Sequence, residues 1–265
     1  MGRVVSRDGT SIAYAREGSG PAVILVGGGL DDGSENAPLM PELATHFTVY
    51  NYARRGRGDS GDTPPFAVER EIEDIEALIA EAGGTADLYG ASSGGMLALE
   101  AAAAGLTIGK VAVYDVPYDT ADDAPQRYRA YAEQLAVVLA EGRRGDAVEL
   151  FMRLVGSSDE EIAAGRNSPY WAAAEALAHT LAYDAALYGP PPRARLATMR
   201  QPALVITGDA LLGSDTGGLG PDFFAQAADV VTACIPNAQR RTIPGQSHVP
   251  DPKVLAAVLE PFFQA

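Results

Sequence analysis

Short apolar runs alternate along the chain with longer segments in which apolar residues recur at helical spacing. Residues 22–26 (AVILV) are continuously apolar and end at Gly27-Gly28-Gly29, which is typical of a strand buried on both faces of a parallel sheet. Residues 68–82 instead carry apolar residues at helical spacing before Gly83-Gly84. The same two patterns predict strands at 47–52, 86–89, 110–114, 203–207 and 240–243, and helices at 93–104, 223–233 and 253–263.

The alternation of strands and helices predicts an α/β fold, with a mostly parallel sheet that helices cover on both faces. Two β-rich stretches on either side of Asp8-Gly9 add a tight hairpin at the start. Residues 119–196 break the alternation, because helical segments follow one another there without a convincing strand, at 126–141, 145–154 and 171–182. We therefore expect one α/β core, residues 1–118 and 197–265, with an inserted helical cap at 119–196.

The charge of the chain limits its partners. Twenty Lys and Arg residues against thirty-five Asp and Glu give a formal charge of −15, so neither nucleic acid nor an anionic membrane is expected as a partner. The single cysteine, Cys234, excludes a disulfide framework and a CxxC metal site. The N-terminus lacks an apolar signal core, and no apolar run approaches the ~18 residues of a membrane span, so we expect a cytoplasmic protein.

The segment Gly90-Ala91-Ser92-Ser93-Gly94 lies where a predicted strand gives way to a predicted helix. A G-x-S-x-G sequence at such a turn forces a strained backbone on the central serine and exposes its hydroxyl above the sheet. The following helix directs its first N–H groups, including that of Ser93, at the same place, where they can stabilise a negative oxygen. An ordinary turn is the alternative, but the context favours Ser92 as a catalytic nucleophile.

A serine nucleophile requires a general base, and the chain has three histidines. His46 precedes a predicted strand and His179 lies on a predicted helix of the insertion, so both are interpreted as surface or packing residues. His248 follows the last predicted strand, on a loop at the carboxyl edge of the sheet, where ligand sites of open α/β sheets collect. His248 is therefore predicted to be the base, with a structural loop histidine as the alternative.

An acid between the serine and the histidine should orient the imidazole and stabilise its cation. Asp115 and Asp209 each follow a predicted strand closely, and Asp215 lies farther into a glycine-rich loop. Position in the chain does not decide which of them is the acid. A helix cap or a turn is the alternative role for each. The second oxyanion donor is expected among the glycines after the first central strand, with Gly29 first and Gly28 second. A flexible turn without a partner is the alternative there.

Four motifs occur in order along the chain: V-G-G-G at 26–29, R-R-G-R-G-D-S at 54–60, G-A-S-S-G-G at 90–95 and G-Q-S-H at 245–248. With these motifs the chain resembles the α/β-hydrolase superfamily over essentially its whole length. The resemblance implies an eight-stranded sheet, a helical cap inserted after the sixth strand, and a Ser/acid/His triad.

The sequence departs from the usual superfamily pattern at three positions. Gly27 stands where a histidine commonly precedes the oxyanion glycines, and Ala91 stands where His or Tyr often precedes the serine. The position after the seventh strand that normally holds the acid is Leu211. Because some members place the acid after the sixth strand, the resemblance favours Asp115, with Asp209 as the runner-up.

Two segments look similar to the lactonases that open the macrolactone ring of zearalenone. One is V-Y-D-V-P at 113–117, and the other is S-P-Y-W at 168–171, followed by A-Y-D at 182–184. The resemblance implies that Trp171 faces the site and stacks on an aromatic or flat apolar substrate; packing in a small core of the cap is the alternative. The basic residues of 54–60 lack a phosphate-loop pattern and are expected to pair with the acidic surface.

These residues predict a serine hydrolase without a cofactor or metal that cleaves a carboxylic ester or lactone, with a macrolactone or aromatic lactone as the narrower hypothesis. Ser92 attacks the acyl carbon, with His248 as base and Asp115 as the acid that orients it. A carbon–carbon bond hydrolase or a perhydrolase can share this triad, and a ligand-binding protein without turnover can retain it. The expected partner is a small-molecule substrate; a homodimer stays open.

Overall fold

Eight strands form a single sheet in the computed structural model, which describes residues 1–210 and 219–265. The strands are β1 (Gly2–Val5), β2 (Ser11–Gly18), β3 (Ala22–Val26), β4 (Thr48–Tyr52), β5 (Ala86–Ala91), β6 (Ile108–Tyr114), β7 (Ala203–Gly208) and β8 (Ala238–Ile243). Their order across the sheet is β1-β2-β4-β3-β5-β6-β7-β8. β1 and β2 run antiparallel to their neighbours and the other pairs are parallel. The predicted sheet and its opening hairpin are confirmed.

Helices cover both faces of this sheet and fill the connection between β6 and β7. In the described residues they are α1 (Leu39–Leu43), α2 (Val68–Glu81), α3 (Ser93–Ala103), α4 (Ala124–Ala140), α5 (Arg144–Leu154), α6 (Asp159–Arg166), α7 (Trp171–Leu177), α8 (Leu181–Ala185), α9 (Arg193–Leu196), α10 (Pro221–Cys234) and α11 (Pro252–Gln264). Helices α4 to α9 follow one another without an intervening strand, and we call residues 119–196 the helical insert. No helix in the described ranges is long and apolar enough to cross a membrane.

Burial on both faces of the sheet follows from the alternation of side chains along its central strands. In β3, Ile24 and Val26 belong to one hydrophobic cluster, whereas Val23 and Leu25 belong to another, and all four are 0% exposed. The first cluster includes apolar residues of α2, α3 and α10, and the second includes those of α1 and α11. The insert has a hydrophobic cluster of its own, formed by α4, α5, α8 and the turn before α8.

Three of the helices, α1, α6 and α9, are missing from the pattern read off the sequence. Helices α1 and α9 contain only 5 and 4 residues, which is too short for a helical repeat of apolar positions to be visible. Helix α6 buries a single side chain, that of Ile162, and begins with a capping box formed by Ser158 and Glu161. Its signal is therefore the cap rather than the periodicity.

The basic loop after β4 contradicts the expectation that its arginines pair with the acidic surface. Arg54, Arg55 and Arg57 are 1%, 0% and 1% exposed. Arg55 donates from Nε and Nη2 to both oxygens of Asp74, at 2.8 and 2.7 Å, and from Nη1 to Asp8 at 2.8 Å. These guanidinium groups can be buried because carboxylates are buried with them. A count of charges along the sequence does not reveal such pairing.

Removing the Arg55 guanidinium should destabilise the fold strongly. The variant Arg55→Ala leaves the 1% exposed Asp74 without its partner, and breaking a buried ion pair from one side costs about 3–5 kcal/mol. The control is Arg7→Ala, because the Arg7 side chain is 66% exposed and pairs with Glu76; its loss should cost less than about 1 kcal/mol. Urea unfolding measures both free energies, and equal losses would contradict the structural role of Arg55.

Candidate active site

The backbone at Ser92 forms a sharp turn between β5 and α3. Its φ of 52° and ψ of −127° lie in a region that residues with a side chain rarely occupy. A Cβ on Gly90 would lie 2.5 Å from the Gly94 carbonyl oxygen, and a Cβ on Gly94 would collide with the Val26 and Gly27 carbonyl groups. Both glycines of the G-x-S-x-G segment are therefore required for the close approach of α3 to β3 and β5. This is the strained turn expected from the sequence.

Ser92 and Asp115 occupy equivalent positions on neighbouring parallel strands. In the β5–β6 pair Ala91 lies opposite Tyr114, so the next residue on each strand is Ser92 and Asp115. The Ser92 N–H donates to the Tyr114 carbonyl oxygen at 2.9 Å, and the Asp115 N–H donates to the Ile206 carbonyl oxygen at 3.0 Å. Both residues have a positive φ, which is 46° at Asp115. The sheet itself thus brings the predicted nucleophile and the predicted acid to the same edge.

Asp115 and His248 are joined by a hydrogen bond. The Nδ1 atom of His248 lies 3.1 Å from Oδ2 of Asp115, and Oδ1 of Asp115 accepts from the Gly208 N–H at 3.2 Å. The His248 ring stacks on Phe224 of α10, with 4.8 Å between ring centroids and 17° between planes. Because both the carboxylate and the ring are held in place, Nε2 is the nitrogen left to exchange a proton.

The pKa of Asp115 reflects opposing influences. Burial raises the pKa above its ordinary value, while the hydrogen bond from His248 acts in the other direction without cancelling the effect. The Asp115 side chain is 3% exposed, compared with 25% for His248. The ionised carboxylate therefore depends on the imidazole as its partner.

The other titratable candidates occupy different places. Asp209 is exposed, and its Oδ1 accepts from the Gly245 N–H at 2.6 Å, so it caps the turn that leads toward His248. His46 is exposed next to β4, whereas His179 lies in the insert with Nε2 3.7 Å from Oδ2 of Asp62. Asp215 and Leu211 lie outside the described residues.

The glycines after β3 lie beside the Ser92 turn. A Cβ on Gly28 would lie 3.2 Å from the Ser92 Cβ and 3.8 Å from its Oγ. A Cβ on Gly29 would instead meet the insert, at 3.5 Å from Oδ2 of Asp184 and 3.6 Å from the Tyr188 hydroxyl. Gly28 thus lies beside the Ser92 side chain, and the insert covers Gly29.

A cluster of buried charges, missed in the sequence, lies beneath this loop. We call Arg54, Arg57, Glu71 and Asp184 the buried charge cluster; all four are 0–1% exposed. Arg54 donates to both oxygens of Glu71 at 2.7 Å and to Oδ1 of Asp184 at 2.8 Å, and Arg57 donates to Oδ2 of Asp184 at 2.9 Å. The Ser93 hydroxyl also donates to Asp184, at 2.8 Å.

The buried Asp184 is stabilised as a carboxylate. Burial by itself raises its pKa, but Arg57, Arg54 and the Ser93 hydroxyl overcome this effect and hold the pKa below its ordinary value. The two sequence segments involved, 54–60 and 182–184, both stand out as motifs. Their pairing spans a separation of 130 residues, which no local pattern can reveal.

Trp171 packs within the insert. Its Nε1 donates to Glu175 at 2.9 Å, and the Arg166 guanidinium lies 5.2 Å from the ring centroid. Gly145 and Gly165 lie against the same ring. All of these contacts belong to the insert, so they favour the packing alternative and give no support to stacking on a substrate.

The motifs and this geometry agree with the comparisons with known proteins. A model of the Alpha/beta hydrolase family matches residues 22–258. The chain belongs to the alpha/beta hydrolase family. An alpha/beta hydrolase from Sphaerobacter thermophilus is 46% identical to it, covering 99% of this chain and 100% of the other, with a TM-score of 0.87. The resemblance drawn from the four motifs is confirmed at the level of the family.

More distant proteins share the fold of this alpha/beta hydrolase. An esterase from Thermogutta terrifontis is 23% identical (99% and 97% of the two chains, TM-score 0.73), and an enol-lactonase from Burkholderia xenovorans is 19% identical (100% of both chains, TM-score 0.72). The uncharacterized hydrolase YraK from Bacillus subtilis is 33% identical over 96 residues, and the match covers 35% of each protein. The chain therefore spans about a third of the length of this curated relative.

Asp115 and Asp184, two of the buried aspartates of this alpha/beta hydrolase, should respond oppositely to replacement by asparagine. Folding raises the pKa of Asp115, so its ionisation lowers stability as the pH rises above 3.8, and Asp115→Asn at pH 8 should leave the melting temperature unchanged or higher. Folding lowers the pKa of Asp184, whose contribution is present above pH 3.8 and is lost as the pH falls through the folded value. Asp184→Asn should therefore lower the free energy of unfolding by about 3–5 kcal/mol.

Thermal and urea unfolding at pH 8 measure both effects. An Asp115→Asn variant that is as strongly destabilised as Asp184→Asn would contradict this prediction. It would show that the Asp115 carboxylate stabilises the fold as a counterion instead of lowering the free energy of unfolding.

Proposed function

We propose that this protein is a serine hydrolase without a cofactor that cleaves a carboxylic ester or lactone through an acyl-enzyme. The observation that carries the proposal is the 3.1 Å hydrogen bond between His248 and Asp115 at the sheet edge where Ser92 occupies its strained turn. Ser92 follows β5, Asp115 follows the neighbouring β6, and His248 lies on the loop after β8, so a candidate nucleophile, acid and base share this edge. Family membership supports hydrolysis as the reaction class.

In the proposed mechanism, Ser92 Oγ forms a bond to the acyl carbon while its proton passes to Nε2 of His248. Asp115 orients the ring through Nδ1 and stabilises the imidazolium. The N–H groups of Ser93 and Gly29 stabilise the oxyanion, with Gly28 as the alternative to Gly29. His248 then returns the proton to the leaving oxygen, and water, activated by the same histidine, releases the acid and regenerates Ser92.

The choice of an ester or lactone is supported by the site and by proteins of similar fold. A serine-bound acyl intermediate suits substrates with an alkoxide leaving group, whether or not the two halves are joined in a ring. An esterase and an enol-lactonase share this fold. The narrower proposal of a macrolactone or aromatic lactone rests on the 113–117 and 168–171 segments, and the packing of Trp171 lends it no weight.

We further propose that the helical insert, residues 119–196, acts as a cap over the site. Asp184, Tyr188 and Phe151 of the insert lie within 3.5–3.7 Å of the Cβ position of Gly29. A pocket between this segment and the sheet edge would exclude water from the reacting carbonyl and select the acyl group.

Replacement of Ser92 should remove activity without removing the fold. Ser92→Ala should abolish hydrolysis of p-nitrophenyl esters and labelling by a fluorophosphonate probe, because the neighbouring Ser93 hydroxyl is buried and donates to Asp184 instead. His248→Asn should reduce the rate by on the order of 10³-fold or more, whereas the exposed His46→Asn should leave it unchanged. Intact mass spectrometry locates the adduct; a wild-type chain without one would instead indicate a binding protein.

The acid can be tested by a matched pair of variants. Asp115→Asn should lower kcat by on the order of 10³–10⁴-fold, because the imidazole loses the carboxylate that stabilises its cation. Asp209→Asn changes a residue that caps the Gly245 turn and should lower kcat less than about tenfold. Steady-state kinetics on one ester compare the two, and the reverse ranking would assign the acid to Asp209.

A further inference from the structure

The candidate oxyanion loop is held by two buried arginines. Nη1 of Arg54 donates to the Gly27 carbonyl oxygen at 3.3 Å, and Nη1 of Arg57 donates to the Gly28 carbonyl oxygen. In a trans peptide the C=O and the following N–H lie in one rigid plane and point in opposite directions. A hydrogen bond that fixes the Gly28 carbonyl oxygen therefore also fixes the direction of the Gly29 N–H. A hydrogen bond to the Gly27 carbonyl oxygen fixes the direction of the Gly28 N–H in the same way.

These hydrogen bonds from outside the loop matter because the loop consists of glycines. Three successive residues without side chains have wide conformational freedom and little packing of their own to restrict it. An oxyanion hole, by contrast, stabilises charge only when its donors are fixed before the reaction. The guanidinium groups supply the restraint that the loop residues lack.

The arginines are in turn held by a carboxylate of the insert. Asp184, on α8, accepts from Arg54 and from the Ser93 hydroxyl through Oδ1, and from Arg57 through Oδ2. Arg54 has a second carboxylate partner, Glu71, which binds it through two nitrogens. Among the described residues, Arg57 pairs with one carboxylate, that of Asp184, and the Nε atom of Arg57 has no hydrogen-bond partner. The orientation of Arg57 thus depends on the insert.

Asp184 contacts both halves of the proposed oxyanion hole. It reaches the Gly28–Gly29 peptide through Arg57, and it binds the side chain of Ser93, whose backbone N–H is the other donor. Because these groups are buried, charges this close interact far more strongly than at the surface. Movement of Asp184 would therefore change the spacing between the two donors.

We propose that Asp184 and Arg57 are positioning residues that set the geometry of the oxyanion hole, so that the hole is complete only when the helical insert is seated. This inference rests on the proposed hydrolase function. Neither side chain needs to touch the substrate, since each acts through the backbone of Gly28 and Gly29 or through Ser93.

The structure provides a control for the attachment of the insert. The Tyr183 hydroxyl, next to Asp184 in α8, donates to Asp62 of the core at 2.6 Å, and the Tyr183 ring stacks on Phe66. Tyr183→Phe removes this hydrogen bond between insert and core while keeping the stacking. It leaves the buried charge cluster and the glycine loop intact.

The test compares Asp184→Asn, Arg57→Lys, Ser93→Ala and Tyr183→Phe in the full chain. We measure kcat and KM for a p-nitrophenyl ester and the inhibition constant of phenylboronic acid, whose tetrahedral adduct with Ser92 Oγ places an oxygen in the hole. Asp184→Asn and Arg57→Lys should lower kcat by about 10²-fold with KM within about threefold, because the donors act on the transition state. Boronate affinity should fall in parallel with kcat/KM, and Tyr183→Phe should stay within about threefold of wild type on every measure.

Ser93→Ala keeps the backbone N–H and loses the two side-chain hydrogen bonds, to Asp184 and from Arg54. It therefore tests the proposal even if Asp184→Asn does not fold. It should lower kcat about five- to tenfold with little change in KM. Folded variants with a wild-type kcat, a loss confined to KM, or an equal loss in Tyr183→Phe would overturn the positioning role. A wild-type chain that neither hydrolyses esters nor reacts with a fluorophosphonate would overturn the proposed function itself, and this inference with it.

Discussion

The backbone at Ser92 can enter its strained conformation only because the neighbouring chain approaches without side chains in the way. Gly90 and Gly94 leave room for α3 to press against β5 and against the end of β3. That contact places the glycine loop after β3 beside the Ser92 side chain, and the pairing of β5 with β6 places Asp115 at the next strand end. The close packing of backbone on backbone therefore positions the oxyanion loop against the candidate nucleophile, and strand pairing positions the acid beside it.

Charge is buried around this turn in matched sets rather than singly. In the buried charge cluster two guanidinium groups face two carboxylates, and Arg55 faces Asp74 and Asp8 in a separate set. Such sets contribute less to stability than apolar packing of the same volume would. They do fix the orientation of the groups they bind, because each hydrogen bond has its own geometry. The first set also binds the carbonyl groups of the glycine loop, where the orientation of the peptide groups matters for the proposed oxyanion hole. The second has no such contact.

Local signals explain what could be predicted from the sequence. The strands, the hairpin at Asp8-Gly9 and the G-x-S-x-G turn each depend on residues close together in the chain, and the fold follows from their order. Asp115 and Asp209 look alike locally, so only the family resemblance favoured Asp115. The pairing of Arg54 and Arg57 with Asp184 was missed because charged side chains are normally exposed and the partners are far apart in sequence. Trp171 illustrates the converse, since a motif resemblance suggested a role that its contacts in the insert do not support.

The position of Asp184 also bears on how this family can diversify. Inserts between the sixth and seventh strands are natural units for recombination, because both of their ends lie at one edge of the sheet. Here a donor insert without a carboxylate at this position would leave Arg57 buried without its carboxylate partner and Arg54 with Glu71 alone. A chimera would thus inherit an electrostatic defect before any question of specificity arose. The contact at Asp184 therefore limits which inserts this core can accept.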